Sequence, residues 1–77
     1  MTKEEILKFA DVPTFYGVRI TFHSIDDILV GFFSNNTQNT EIFHANKWNF
    51  NITSTNEITL LDGNDIKHIH TIKISEI

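Results

Sequence analysis

Hydrophobic and polar positions alternate with a period of two through most of this chain, and only its start follows a helical period. In residues 2–10, Ile6, Phe9 and Ala10 fall on one stripe, with Leu7 beside it. Thr2 followed by Glu5 has the form of a capping box, and Glu4 and Glu5 suit the positive end of a helix dipole. Pro13 pushes Val12 to extended geometry and stops the helix. From Gly17 the period changes. Val18, Ile20 and Phe22 alternate with Arg19, Thr21 and His23, a first strand, and Ser24-Ile25-Asp26-Asp27 is a polar turn. Ile28–Ser34 is a second strand, apolar on both faces, in which Gly31 predicts a bend or bulge. Asn35–Thr40 is a polar loop, Glu41–His44 a short extended piece, and Ala45-Asn46-Lys47 a turn. Trp48, Phe50 and Ile52 then alternate with Asn49, Asn51 and Thr53, a third strong strand.

The stretch Glu57–Ile77 reads as strand, Gly-centred turn and isoleucine-rich strand. Ile58 and Leu60 continue the apolar alternation, and Gly63 suits a tight turn that needs positive φ. Ile66 and Ile69, three apart, suggest one helical turn, after which Ile72 and Ile74 alternate with Thr71 and Lys73. The shift of parity predicts a bulge around His70-Thr71, or a strand that starts after Ile69. The pattern as a whole predicts a single domain over 1–77: a short helix at about 2–10 capping one open end of a five-stranded antiparallel β-barrel at about 16–77, closed by the last two strands.

Composition narrows the function classes. A chain of 77 residues buries only about 60 % of its unfolded surface, which leaves little room for a deep catalytic cavity beside a core. The seven Phe, one Trp and one Tyr suffice to fill that core. Cysteine is absent, which removes disulfides, thiolate metal sites and thiol nucleophiles. The net charge is −4, with one arginine, Arg19, so long-range electrostatics oppose a phosphate backbone. No apolar run is long enough for a signal peptide or a membrane span, so the expected location is the cytoplasm, with no membrane partner.

Two stretches resemble the Sm-like proteins, within the wider SH3-type group of small β-barrels. Val18–Phe33 resembles the first half of the Sm-like first motif: an alternating strand, a turn, and a strand with Gly31 at its bend. Leu61-Asp62-Gly63-Asn64-Asp65-Ile66, followed by Ile69, resembles the second motif, and Ile66-Lys67-His68 is similar to the Lys-His pair of the bacterial host-factor branch. The resemblance implies the barrel and ring-like self-assembly through edge strands. It does not extend to RNA recognition. Asp62 stands where a basic residue often precedes the Gly, and an Asn-rich loop replaces the Asp and Asn that hold bases.

Candidate chemistry is sparse. Ser24, Ser34, Ser54 and Ser75 lie in no nucleophile motif, and the three glycines are isolated, so no phosphate loop exists. The Asp26-Asp27 pair and Asp62/Asp65 read as turn formers. The expectation is a non-enzymatic binding or assembly module without a cofactor, whose partner is itself or another protein. Its contact patch comprises Phe32, Phe33, Ile69 and Ile72, and its pairing edge is Ile66–Ile74. One of Phe32 and Phe33 must point away from the interior. Two alternatives remain. Single-stranded RNA binding would use Lys67 and His68, with Arg19, Lys47 or Lys73 on phosphate and rings such as Phe15, Tyr16, Phe43 or Trp48 for stacking. A metal site would use His68 and His70, two apart and so on one strand face, with His44, His23, Asp62 or Asp65 as a further ligand.

Overall fold

The computed structural model describes residues 1–10, 15–33 and 40–73. The expected helix stop at Val12-Pro13, the polar loop from Asn35 to Asn39, and Ser34, Ile74 and Ser75 lie outside the described residues. Within them the order is α1 (Lys3–Leu7), β1 (Tyr16–Phe22), β2 (Ile28–Phe33), α2 (Thr40–His44), β3 (Lys47–Ile52), β4 (Glu57–Asp62), a 3₁₀ turn at Gly63–Asp65, and β5 (Ile66–Lys73). The five strands form one antiparallel sheet in the order β4-β3-β2-β1-β5.

The capping box of α1 is formed. The Thr2 hydroxyl accepts from the Glu5 backbone N–H at 3.2 Å, and the Glu5 carboxylate accepts from the Thr2 backbone N–H at 3.0 Å. That second bond, with the Thr2 hydroxyl at 2.9 Å, holds the Glu5 carboxyl below its ordinary range. The helix then carries Ile6 into the core, where it is fully buried. Burying such a side chain stabilises the fold by about 1.5–3 kcal/mol.

The inner face of the sheet follows the alternation. Val18, Ile20, Trp48, Phe50 and Ile66 are fully buried, joined by Phe22, Phe33, Leu61 and Ile69. Phe33 meets Trp48 and Phe50 edge-on at 5.6 and 5.2 Å between ring centroids, a favoured aromatic geometry.

Several local expectations are corrected. The last two strands are not a hairpin: β4 pairs with β3 and β5 with β1, at opposite ends of the sheet, and among the described residues the sheet is not closed. Gly63 does not take positive φ; among the described residues that conformation falls to Phe15 (71°), Asn46 (57°) and Asn56 (58°). Gly63 is required for space, because a Cβ there would overlap the Asn46 carboxamide. Gly31 pairs in register with both Val18 and Ile52, so it forms no bulge; a Cβ there would run into the Asn51 carbonyl oxygen. The register irregularity lies elsewhere. Thr21 pairs with His68 and Phe22 with Ile66, leaving Lys67 as the extra residue. Glu41–His44 is helical, not extended. Ile58 and Leu60 face outward, because Leu61 pairs with the buried Trp48 and directly opposed residues share a face.

Candidate functional site

The exposed side of the sheet is set by the same pleat. On β5 the outward positions are His68, His70 and Ile72, opposite Thr21, Arg19 and Gly17 of β1. On β2 they are Ile28, Val30 and Phe32; on β3, Asn49 and Asn51; on β4, Ile58 and Leu60. This face keeps large apolar groups in water: Phe32 is 37 % exposed, Ile28 and Leu60 each 55 %, and Ile58 66 %. Two oxygens on it, Thr21 Oγ1 and Asn51 Oδ1, are buried without a hydrogen-bond partner.

The candidate contact residues divide between the two faces. Phe32 lies on the outer face, as does half-buried Ile72 two strands away across β1, whereas Phe33 and Ile69 are 9 % and 7 % exposed and belong to the core. The adjacent phenylalanines thus point to opposite sides, as the two-sided apolar strand requires. Lys67 and His68, the candidate RNA contacts, are both exposed, as are Arg19, His70 and Lys73, so three cations, Lys67, Lys73 and Arg19, lie on β5 and the adjoining β1 in an acidic chain. Of the candidate stacking rings, Phe15 and Tyr16 are exposed, Phe43 is half-buried and Trp48 is fully buried. Trp48 donates its indole N–H to Asn46 Oδ1 at 2.8 Å, and Lys3 Nζ lies 5.2 Å from the centre of the Phe43 ring.

The imidazoles of His68 and His70 stand side by side with centroids 6.1 Å apart. Neither His23, His44, Asp62 nor Asp65 joins them, and no group of three or more metal-ligating side chains exists among the described residues. Asp65 is instead committed to the β1–β2 turn. It accepts from the Ser24 backbone N–H at 3.0 Å and from the Ser24 hydroxyl, and its carbonyl accepts from the His23 N–H at 2.9 Å. Asp62 caps the 3₁₀ turn. The Asn64 backbone N–H at 3.0 Å, together with Lys47 at 3.3 Å, holds its carboxyl below the usual range.

The site that sequence reasoning passed over is the junction around Asn46. Its Nδ2 donates to the Met1 carbonyl at 3.0 Å and its own carbonyl accepts from the Gly63 N–H at 2.8 Å. The ammonium of Met1 donates to the carbonyls of Gly63 and Ile66 at 2.8 and 3.1 Å. This junction fixes where β5 begins and so positions its outer edge. The signal for it in the sequence was an Asn two residues before a lone Trp, which is too common to be read alone. Among the described residues no helix is long and apolar enough to cross a membrane. No protein-family model matches this chain, and no curated protein or solved structure matches it.

Proposed function

We propose that this chain is a non-enzymatic assembly module, SH3- or Sm-like in layout, whose barrel stays open between β4 and β5 and which associates with a second copy through the open side. The observation that carries the reading is the place of β5: among the described residues it ends the sheet order and pairs with β1 alone, so there one row of its backbone donors and acceptors lacks a strand partner. Such an edge is a template for another strand. Ile72 on the outer face of β5 supplies apolar area to the same contact, and exposed Phe32 extends the apolar surface of that face two strands further in. Sedimentation equilibrium over a wide concentration range tests this. The reading expects concentration-dependent association, and a single ideal monomer up to millimolar concentration would overturn it.

A second reading rests on the exposed cations Lys67 and Lys73 of β5, beside Arg19 of β1, with the exposed imidazole of His68 next to Lys67. It makes the same edge a contact for single-stranded RNA, with binding that falls with salt and is lost in Lys67→Ala. Fluorescence anisotropy with a labelled oligonucleotide at low salt decides it, and no binding there would end it.

A further inference from the structure

The edge strand reads nearly the same in both directions. Around Ile69 the order is Ile66, Lys67, His68, Ile69, His70, Thr71, Ile72, with Asp65 before it and Lys73 after it. A two-fold symmetric contact uses the same patch on both copies and so demands self-complementarity. An antiparallel pair of β5 strands centred on Ile69 meets that demand. His68 faces the second copy's His70, and Ile69 faces its own counterpart, with no like charges directly opposed.

We infer that two copies pair through β5 about Ile69 and that the four imidazoles so gathered bind one divalent transition ion. This rests on the assembly reading above and gives it a register and a ligand. In one chain His68 and His70 are exposed, share a face and have centroids 6.1 Å apart. Two imidazoles on one tetrahedral zinc, with Zn–N near 2.0–2.1 Å, have centroids about 5 Å apart, so small side-chain rotations suffice. Two ligands alone leave the coordination sphere half filled, and no third ligand is at hand among the described residues. The second copy supplies the missing pair. Opposed residues in an antiparallel ladder lie about 5 Å apart and same-face neighbours along a strand about 7 Å apart. The four histidines therefore sit at the corners of a rectangle with the ion above its centre. The ladder with β1 is regular through Thr21–His68, Ile20–Ile69 and Arg19–His70, so the irregularity at Lys67 falls outside this central run. Arg19, opposite His70 on the same face, is the one charged group among those facing pairs, and it opposes the ion.

The test is analytical ultracentrifugation of the full chain in EDTA and in zinc, with zinc stoichiometry by calorimetry and cobalt(II) absorption as a report of tetrahedral geometry. The inference expects one zinc per two chains and a dimer. At zinc ten times its site dissociation constant, the dimerisation constant should rise about elevenfold. His68→Ala/His70→Ala should abolish that rise, and Arg19→Gln should tighten zinc binding about two- to threefold. A dimer in EDTA that neither zinc nor the double variant alters would overturn the metal site while leaving edge pairing intact. One zinc per monomer would overturn the bridge. Monomers under every condition would overturn both this inference and the assembly reading.

Discussion

Replacing Asn46 by alanine removes a carboxamide that holds three parts of the chain together. Its Oδ1 is the acceptor for the Trp48 indole N–H, at 2.8 Å, and Trp48 is fully buried. Its Nδ2 reaches the Met1 carbonyl at 3.0 Å and, more distantly, Asn64 Oδ1 at 3.4 Å. The backbone at Asn46 has φ 57°, a region that Asn tolerates and Ala does not. Leaving a buried donor without an acceptor costs about 1–3 kcal/mol. Placing alanine in the left-handed region adds about 1–2 kcal/mol. The sum is about 2–5 kcal/mol, against a total stability of about 4–12 kcal/mol for a domain of 77 residues. Asn46→Gly separates the two contributions, since glycine keeps the backbone conformation and loses only the carboxamide. The assay is urea denaturation followed by far-UV circular dichroism, because Trp48 is the only tryptophan and one arm of the experiment replaces it. A double-mutant cycle with Trp48→Phe isolates the indole bond. The expected outcome is a coupling energy of about 1 kcal/mol or more. A cost for Asn46→Ala that is the same in both backgrounds, within about 0.3 kcal/mol, would refute the claim that Asn46 is needed by Trp48.

Two further perturbations test the sheet and its turn. Gly31→Ala places a Cβ against the Asn51 carbonyl oxygen, and neither strand can yield without breaking the β2–β3 ladder. The expected loss is at least about 3 kcal/mol in urea denaturation, the upper end for overpacking, with faster amide exchange in both strands; a loss under about 1 kcal/mol would show that the strands separate freely. Asp62→Asn keeps an acceptor for the Asn64 N–H but loses the charge paired with Lys47. Because the folded state lowers the Asp62 pKa, its stabilisation is fully present above the ordinary Asp value of about 3.9 and is lost as pH falls through the lowered value. The stability gap between wild type and Asp62→Asn should therefore hold steady from neutral pH down to about 5 and close below about 4, and a gap that widens in acid would reverse the assignment.

Much of the sheet was written in local alternation. Val18-Ile20-Phe22 and Trp48-Phe50-Ile52 each present one apolar face, and burial of that face leaves a single choice of orientation. The capping box at Thr2 and Glu5 is likewise complete within four residues, and the shared face of His68 and His70 follows from strand parity alone. What the sequence could not decide are the pairings between residues far apart in the chain. A Gly-Asn turn between two apolar stretches suits a hairpin as well as a 3₁₀ crossing. The choice was made by the long-range bonds from Met1 and Asn46 that hold Gly63, and by the pairing of β5 with β1. Thr40–His44 is too short to show a period, and its helix is settled by the packing of Phe43 against Trp48 and Lys3. Ile58 and Leu60 look like core in sequence but face water, because Trp48 selects Leu61 as its cross-strand neighbour. Local pattern states which residues seek burial. Only the register between distant strands, fixed by the bulk of the side chains that must meet, states which of them find it.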